Sequence, residues 1–158
     1  MALQSLLWTA YFRGLDMRKI RLKELAEIER GKNKIYPAGC TLIPLSASSL
    51  ELIKYMPDAD EIGGRFAVVI PHEGVVPEYL FISIMRAAPE FFHKYQTTIN
   101  LQYETLLEYY LVDFDEDVHV QLDIANKMKI LGMLERKEEE VIKELKELQR
   151  TFLSKMFV

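Results

Sequence analysis

The sequence predicts an α+β domain followed by one long C-terminal helix, and three observations carry that reading. Up to residue 117, short β-branched apolar segments alternate with helix-compatible stretches. Gly, Pro, Asn and Asp clusters punctuate them. From Val118 to Phe157, apolar side chains recur at alternating steps of three and four, with no Gly or Pro after Gly132. The expected divisions are 1–16, an N-terminal extension or short helix; 17–117, the α+β domain; and 118–158, the long helix.

In order, residues 2 to 13 are apolar and helix-compatible, and Met17 opens a second plausible start. Leu22 to Glu29 reads as a helical turn leading into a short strand, closed by Gly31 in the polar loop Arg30 to Lys34, which Tyr36 and Pro37 end. Thr41 to Leu45 is strand-like, Ser46 to Ser49 is a turn, and Leu50 to Met56 is ambiguous. An acidic loop, Pro57 to Glu61, and the turn Gly63-Gly64 precede Phe66 to Ile70, a continuous apolar run expected to be a strand buried on both faces. Pro77 opens a helix, Glu78 to Ala88, and Pro89 starts a second short one through Tyr95. Gln96 to Asn100 is a polar loop, Tyr103 to Leu107 a helical turn, and Tyr109 to Val112 a strand. The acids Asp113 to Asp117 then favour the positive end of the long helix's dipole.

Written as a heptad, Ile124, Leu131, Glu138, Leu145 and Phe152 fall at a, and Val120, Lys127, Leu134, Val141, Leu148 and Lys155 at d. Met128, Ile142 and Met156 widen the stripe at e. Such a helix is about 60 Å long at 1.5 Å per residue, more than a small domain needs for its own core. The chain offers no second heptad run, so the seam is expected to pair between molecules through Ile124, Met128, Leu131, Leu134, Glu138, Val141, Ile142, Leu145, Leu148 and Phe152. The charges at core-type positions set register, and Lys127 could face Glu138 in an antiparallel pair. The plainer alternative is an amphipathic helix lying on its own domain; its length and the polar surround, Glu135 to Glu140 and Lys143 to Glu147, argue against that.

Composition excludes several classes. At 158 residues with 49% hydrophobic content the chain is not disordered, no apolar stretch is long enough to span a membrane, and the N-terminus has no signal-peptide pattern. Cys40 is the only cysteine, so an intrachain disulfide is impossible, a reducing cytoplasm is the expected location, and the thiol reads as a small core hydrophobe. The net charge of -4 hides an asymmetry: residues 1 to 36 carry eight basic groups against four acids, residues 37 to 117 four against thirteen, and the helix is nearly neutral. A polyanion could be met only by a local basic patch.

No catalytic constellation emerges, and no cofactor is expected. Asp113, Asp115 and Asp117 alternate as in a calcium loop, yet neither the sixth-position Gly nor the twelfth-position Glu follows. Gly31-Lys32 resembles the end of a phosphate loop, but Ala26 and Asn33 stand where Gly and Ser or Thr are required. His72, His93 and His119 lack partners at zinc-ligand spacing. Downstream of Pro57-Asp58, Glu-x-Lys occurs only on the tail helix, as in Glu144-Leu145-Lys146, which leaves a metal-dependent nuclease unsupported.

What remains is recognition chemistry. Arg30, Lys32, Lys34 and Tyr36 make a basic loop with an aromatic, and Arg65 is a further candidate cation; these can touch phosphates and base edges. Gln96, Thr97, Thr98, Asn100, Gln102 and Tyr103 make a neutral hydrogen-bonding loop of the kind that reads bases, since Asn and Gln present donor and acceptor together. Each loop alone reads more readily as a solvated surface.

Two stretches resemble the specificity subunit of type I restriction–modification enzymes. Arg21-Leu-Lys-Glu-Leu-Ala-Glu-Ile-Glu-Arg-Gly-Lys32 is similar to the opening of the family's target recognition domain, and Thr98 to Leu101, Leu106, Tyr110 to Val112 and Val120 to Ala125 lead into a helix similar to the family's spacer helix. The order, recognition domain then spacer and dimerisation helix, covers residues 17 to 158. The junction departs from the pattern, since Asp113 to Val120 contains no proline and Val120 precedes Gln121. The usual subunit has two recognition domains and two helices paired antiparallel, and this chain has one of each. The resemblance therefore implies a half-length, non-catalytic specificity subunit. Its expected partners are double-stranded DNA, a second copy of itself as an antiparallel homodimer, DNA methyltransferase subunits and the restriction or motor subunit. The residues expected to contact DNA, chosen from the chemistry of the two loops, are Arg30, Lys32, Lys34, Tyr36, Arg65, Gln96, Thr98, Asn100, Gln102 and Tyr103. The rival reading is a non-catalytic coiled-coil adaptor whose acidic head binds protein.

Overall fold

A computed structural model describes Phe12 and residues 17–45, 53–95 and 103–156. Its elements are β1 (Arg18–Arg21), α1 (Leu22–Leu25), β2 (Ala26–Arg30), β3 (Lys34–Tyr36), β4 (Thr41–Pro44), β5 (Lys54–Tyr55), β6 (Asp60–Ile62), β7 (Phe66–Pro71), α2 (Pro77–Tyr95), α3 (Tyr103–Tyr109), β8 (Leu111–Phe114) and α4 (Val118–Met156). This is the expected class, mixed α and β structure followed by one long helix. The chain divides into two compact units, Met1–Leu122 and Asp123–Val158.

In the first unit, the described strands form three antiparallel sheets: β1 with β8, the order β2-β7-β4-β5, and β3 with β6. β7 is the centre of the largest, pairing Val68 and Val69 with Glu29 and Ile28 on one side and with Leu42 and Thr41 on the other. Its Ala67, Val68 and Val69 are fully buried, as their continuous apolar run requires. Tyr36, Cys40, Leu42, Met56, Ile62 and Val68 form one core cluster, and burial alone pushes the Cys40 thiol up. The single turn α1 buries Leu22 and Leu25 and is tied at both ends, Leu22 N–H donating to Tyr110 O at 2.8 Å and His72 N–H to Leu25 O at 2.9 Å.

Several expectations are corrected. Pro89 does not start a new helix: α2 continues through it to Tyr95. A helix-interior proline costs roughly 3 kcal/mol. Leu80, Ile84, Ala88, Phe91 and Phe92 form one continuous buried stripe at helical spacing, and that burial offsets the lost hydrogen bond. β1, β3 and β6 are strands where none was expected, and α3 extends through Tyr109, so β8 begins at Leu111 and continues to Phe114. An aromatic layer joins α2 to β8: the Phe91 and Tyr110 rings are 4.3 Å apart, Tyr79 and Phe114 5.2 Å apart, and Tyr110 Oη donates to Ile84 O at 2.8 Å.

The passage from β8 into α4 is built by hydrogen bonds. Asp117 caps the helix, its Oδ1 accepting from His119 N–H at 2.8 Å, while its own N–H donates to Asp115 Oδ1 at 2.9 Å. Gln121 is 1% exposed. Its Oε1 accepts from Val76 N–H and its Nε2 donates to Asp115 O, both at 2.9 Å. The acids expected to serve the dipole thus serve as turn and cap acceptors.

The second unit is the remainder of α4. Lys127 Nζ lies 2.6 Å from Asp123 Oδ2, one turn back. Gly132 is the single glycine of the helix, and a Cβ there would meet nothing within 4 Å. Gly132→Ala is therefore expected to stabilise α4 by about 0.5–1 kcal/mol, read as a higher midpoint in thermal unfolding followed at 222 nm; an unchanged or lower midpoint would contradict an open position there.

Candidate nucleic-acid interface

The basic loop after β2 is laced to a second loop far away in sequence. Past the last ladder pair, Arg30 with Ala67, Gly31 N–H donates to Phe66 O and Asn33 N–H to Ile62 O, both at 2.9 Å. Arg30 Nε donates to Gly64 O at 3.2 Å. Asn33 adopts a left-handed φ of 54° to make this turn, and Gly31 is so close that a Cβ would run into the carbonyl of Gly63. Arg30, Lys32, Lys34 and Arg65, all exposed, are carried by these two joined loops.

The electrostatics of this end depend on Glu29, which sequence reasoning passed over. Lys34 Nζ is 2.8 Å from Glu29 Oε2, and Tyr36 Oη donates to the same oxygen at 3.2 Å. The Lys34 hydrogen bond holds the Glu29 carboxyl below the usual carboxylate range, with Lys32 adding to it, and the same bond holds the Lys34 ammonium above its usual value. Lys34 is therefore partly neutralised, which leaves Arg30, Lys32 and Arg65 as cations of this end with no carboxylate in ion-pair contact among the described residues. The Glu29–Lys34 pair is created by the turn between β2 and β3 and follows no helical or strand spacing.

Two of the expected contact residues face inward. Tyr36 is 1% exposed, whereas its neighbour Ile35 is 75% exposed, so strand alternation places the Tyr36 ring in the core and removes it from any DNA-facing surface. Tyr103 is half-buried, and its hydroxyl donates to Ile28 O at 2.6 Å, pinning the start of α3 to β2. Gln96, Thr97, Thr98, Asn100 and Gln102 lie outside the described residues. Both ends of that segment are anchored: Tyr103 on β2, and Tyr95 stacked on Tyr109 with ring centroids 5.2 Å apart and planes 19° apart. Beside this stack, Lys19, Glu90, Lys94 and Leu111 help line a small cavity.

Of the expected seam residues, Leu134, Val141, Ile142, Leu145, Leu148 and Phe152 are exposed apolar side chains, Phe152 at 69%. Ile130, Met133, Leu153 and Met156 join them. Glu138 is exposed, and Met128 and Leu131 are partly buried. Ile124 is the exception, 1% exposed. Among the described residues no cluster of His, Cys, Asp or Glu could hold a metal ion, and no helix is long and apolar enough to cross a membrane.

No protein-family model matches the chain, and no curated protein matches it. Among solved structures it is similar to the S subunit of a type I restriction–modification system from M. genitalium, over 94% of this chain, with a TM-score of 0.59 and 17% sequence identity. The chain spans 46% of that protein, about half its length. The likeness establishes a shared fold, an S-subunit-like α/β unit followed by a long helix.

Proposed function

We propose that the chain is a half-length, non-catalytic specificity subunit of a type I restriction–modification system. In this reading the α/β unit reads double-stranded DNA, α4 pairs antiparallel with α4 of a second copy, and the pair recruits methyltransferase subunits and, through them, the motor subunit. The observation that carries it is the fold shared with an S subunit over 94% of this chain. The exposed stripe of α4 supports the pairing, because a run of large apolar side chains this long is rarely left in water. Two identical heads related by a twofold axis would read an interrupted palindrome. A 60 Å helix corresponds to about 18 base pairs at 3.4 Å each, less whatever the heads overlap.

Lys32 is the exposed cation most simply assigned to phosphate. Lys32→Ala is expected to weaken binding to every duplex alike and to flatten the salt dependence by about one unit of slope, measured by fluorescence anisotropy of the complex with its methyltransferase. Loss confined to one sequence would overturn a phosphate role. Light scattering should give twice the 18.5 kDa chain mass at micromolar concentration, and a monomer there would overturn the pairing. The acidic balance of residues 37 to 117 favours the second reading, a coiled-coil adaptor with a protein-binding head, and absence of duplex binding at any salt would select it.

A further inference from the structure

A small cavity is lined by Lys19 from β1, by Glu90, Lys94 and Tyr95 from α2, and by Tyr109 and Leu111 where α3 passes into β8. Three properties separate it from an ordinary solvated surface. First, its two cations are unmatched, as are Arg30, Lys32 and Arg65, whereas Lys23 pairs with Glu108 at 2.8 Å, Lys34 with Glu29 at 2.8 Å and Arg86 with Asp113 at 3.9 Å. Among the described residues no carboxylate lies within ion-pair distance of Lys19 or Lys94, although Glu90 sits on the same wall. Second, Lys94 stands in the strongly acidic segment from residue 37 to 117, with thirteen acids against four basic groups, and Lys19 joins it from the basic residues 1 to 36. Third, the wall between them is aromatic: Tyr95 and Tyr109 stack at 5.2 Å, Lys94 Nζ lies 5.2 Å from the Tyr95 ring centroid, and Tyr109 is 54% exposed.

We propose that this cavity grips a phosphodiester of the DNA backbone through Lys19 and Lys94, beside the stacked Tyr95–Tyr109 pair that roots the candidate reading segment. The inference rests on the DNA-recognition reading and adds residues to it. A tetrahedral monoanion suits two ammonium donors lining one cavity, and a sugar ring suits the flat, half-exposed Tyr109 face; both repeat at every nucleotide, so the grip carries no sequence information. Its role is to fix where the adjoining segment stands along the duplex. Glu90 opposes the anion and weakens the site, which keeps the grip releasable.

The test uses the full chain in complex with its methyltransferase and fluorescent duplexes with and without the preferred sequence. Lys19→Gln and Lys94→Gln are each expected to lower affinity for both duplexes about three- to tenfold at 0.1 M salt and to reduce the salt slope by about one. Glu90→Gln should raise affinity for both, and Lys94→Arg should retain binding. Both lysines are exposed, so the melting temperature should not move. To separate polymer from free ion, inorganic phosphate is added as competitor: failure to compete at tens of millimolar supports a site completed by the duplex, whereas full competition at equal phosphate concentration reduces it to an ion site and overturns the proposal. A wild-type complex that binds no duplex overturns the functional reading and this site together. Wild-type binding with unchanged affinity and salt slope in both lysine variants overturns this site alone.

Discussion

Gln121→Leu is expected to destabilise the α/β unit by about 3 kcal/mol, because each buried backbone group left without a partner costs about 1–3 kcal/mol. Leucine fills most of the volume of glutamine but ends one atom short and carries no polar group, so Val76 N–H and Asp115 O lose their partners in a place only 1% open to water. Asp115 is held from its other side by its N–H donating to Tyr79 Oη at 3.0 Å, so the turn would be detached on one side only. Urea unfolding should show a lower midpoint with an unchanged slope, and amide exchange should quicken at Val76 before it does in β7. A midpoint within experimental error of the parent would mean that the side chain is not bonded at both ends.

Gly31→Ala is the second large effect, expected to cost about 2–3 kcal/mol, at the upper end of what overpacking a tight site does. The added methyl meets the Gly63 carbonyl, a backbone atom that cannot rotate away, so the two loops must part. Parting them breaks the bonds Gly31 N–H to Phe66 O and Asn33 N–H to Ile62 O and separates Arg30 from Gly64 O. Duplex affinity should therefore fall along with stability. The control is Gly74→Ala, where φ is +84° but a Cβ meets nothing within 4 Å: it should cost only about 1 kcal/mol of backbone strain and leave binding alone. Equal losses from the two changes would refute the contact at Gly31.

How much was legible in the sequence depends on whether the cause was local. β7 was readable because a strand buried on both faces must be apolar throughout, and α4 because its three-and-four spacing persists over ten turns. β1, β3 and β6 were not, since Arg-Lys-Ile-Arg, Lys-Ile-Tyr and Asp-Glu-Ile are short, charged and stabilised by partners distant in the chain. That oversight carried Tyr36 with it: an aromatic beside three cations looks like a contact residue until strand parity turns its ring inward. The Arg30–Lys34 loop was located correctly. Its electrostatics were not, because Glu29 and the Gly63-Gly64 turn enter only through tertiary pairing.

The pairing of β1 with β8 has a consequence in time. Arg18 lies opposite Phe114 and Arg21 opposite Leu111, so the sheet nearest the start of the described chain waits for almost the last residues of the head. Closing so wide a loop is a late, slow event compared with local helix formation. During synthesis the apolar stripe of α4 follows directly behind the strand that completes the head. The last strand the α/β unit needs is thus made immediately before the long helix, so local elements form first and this sheet closes last.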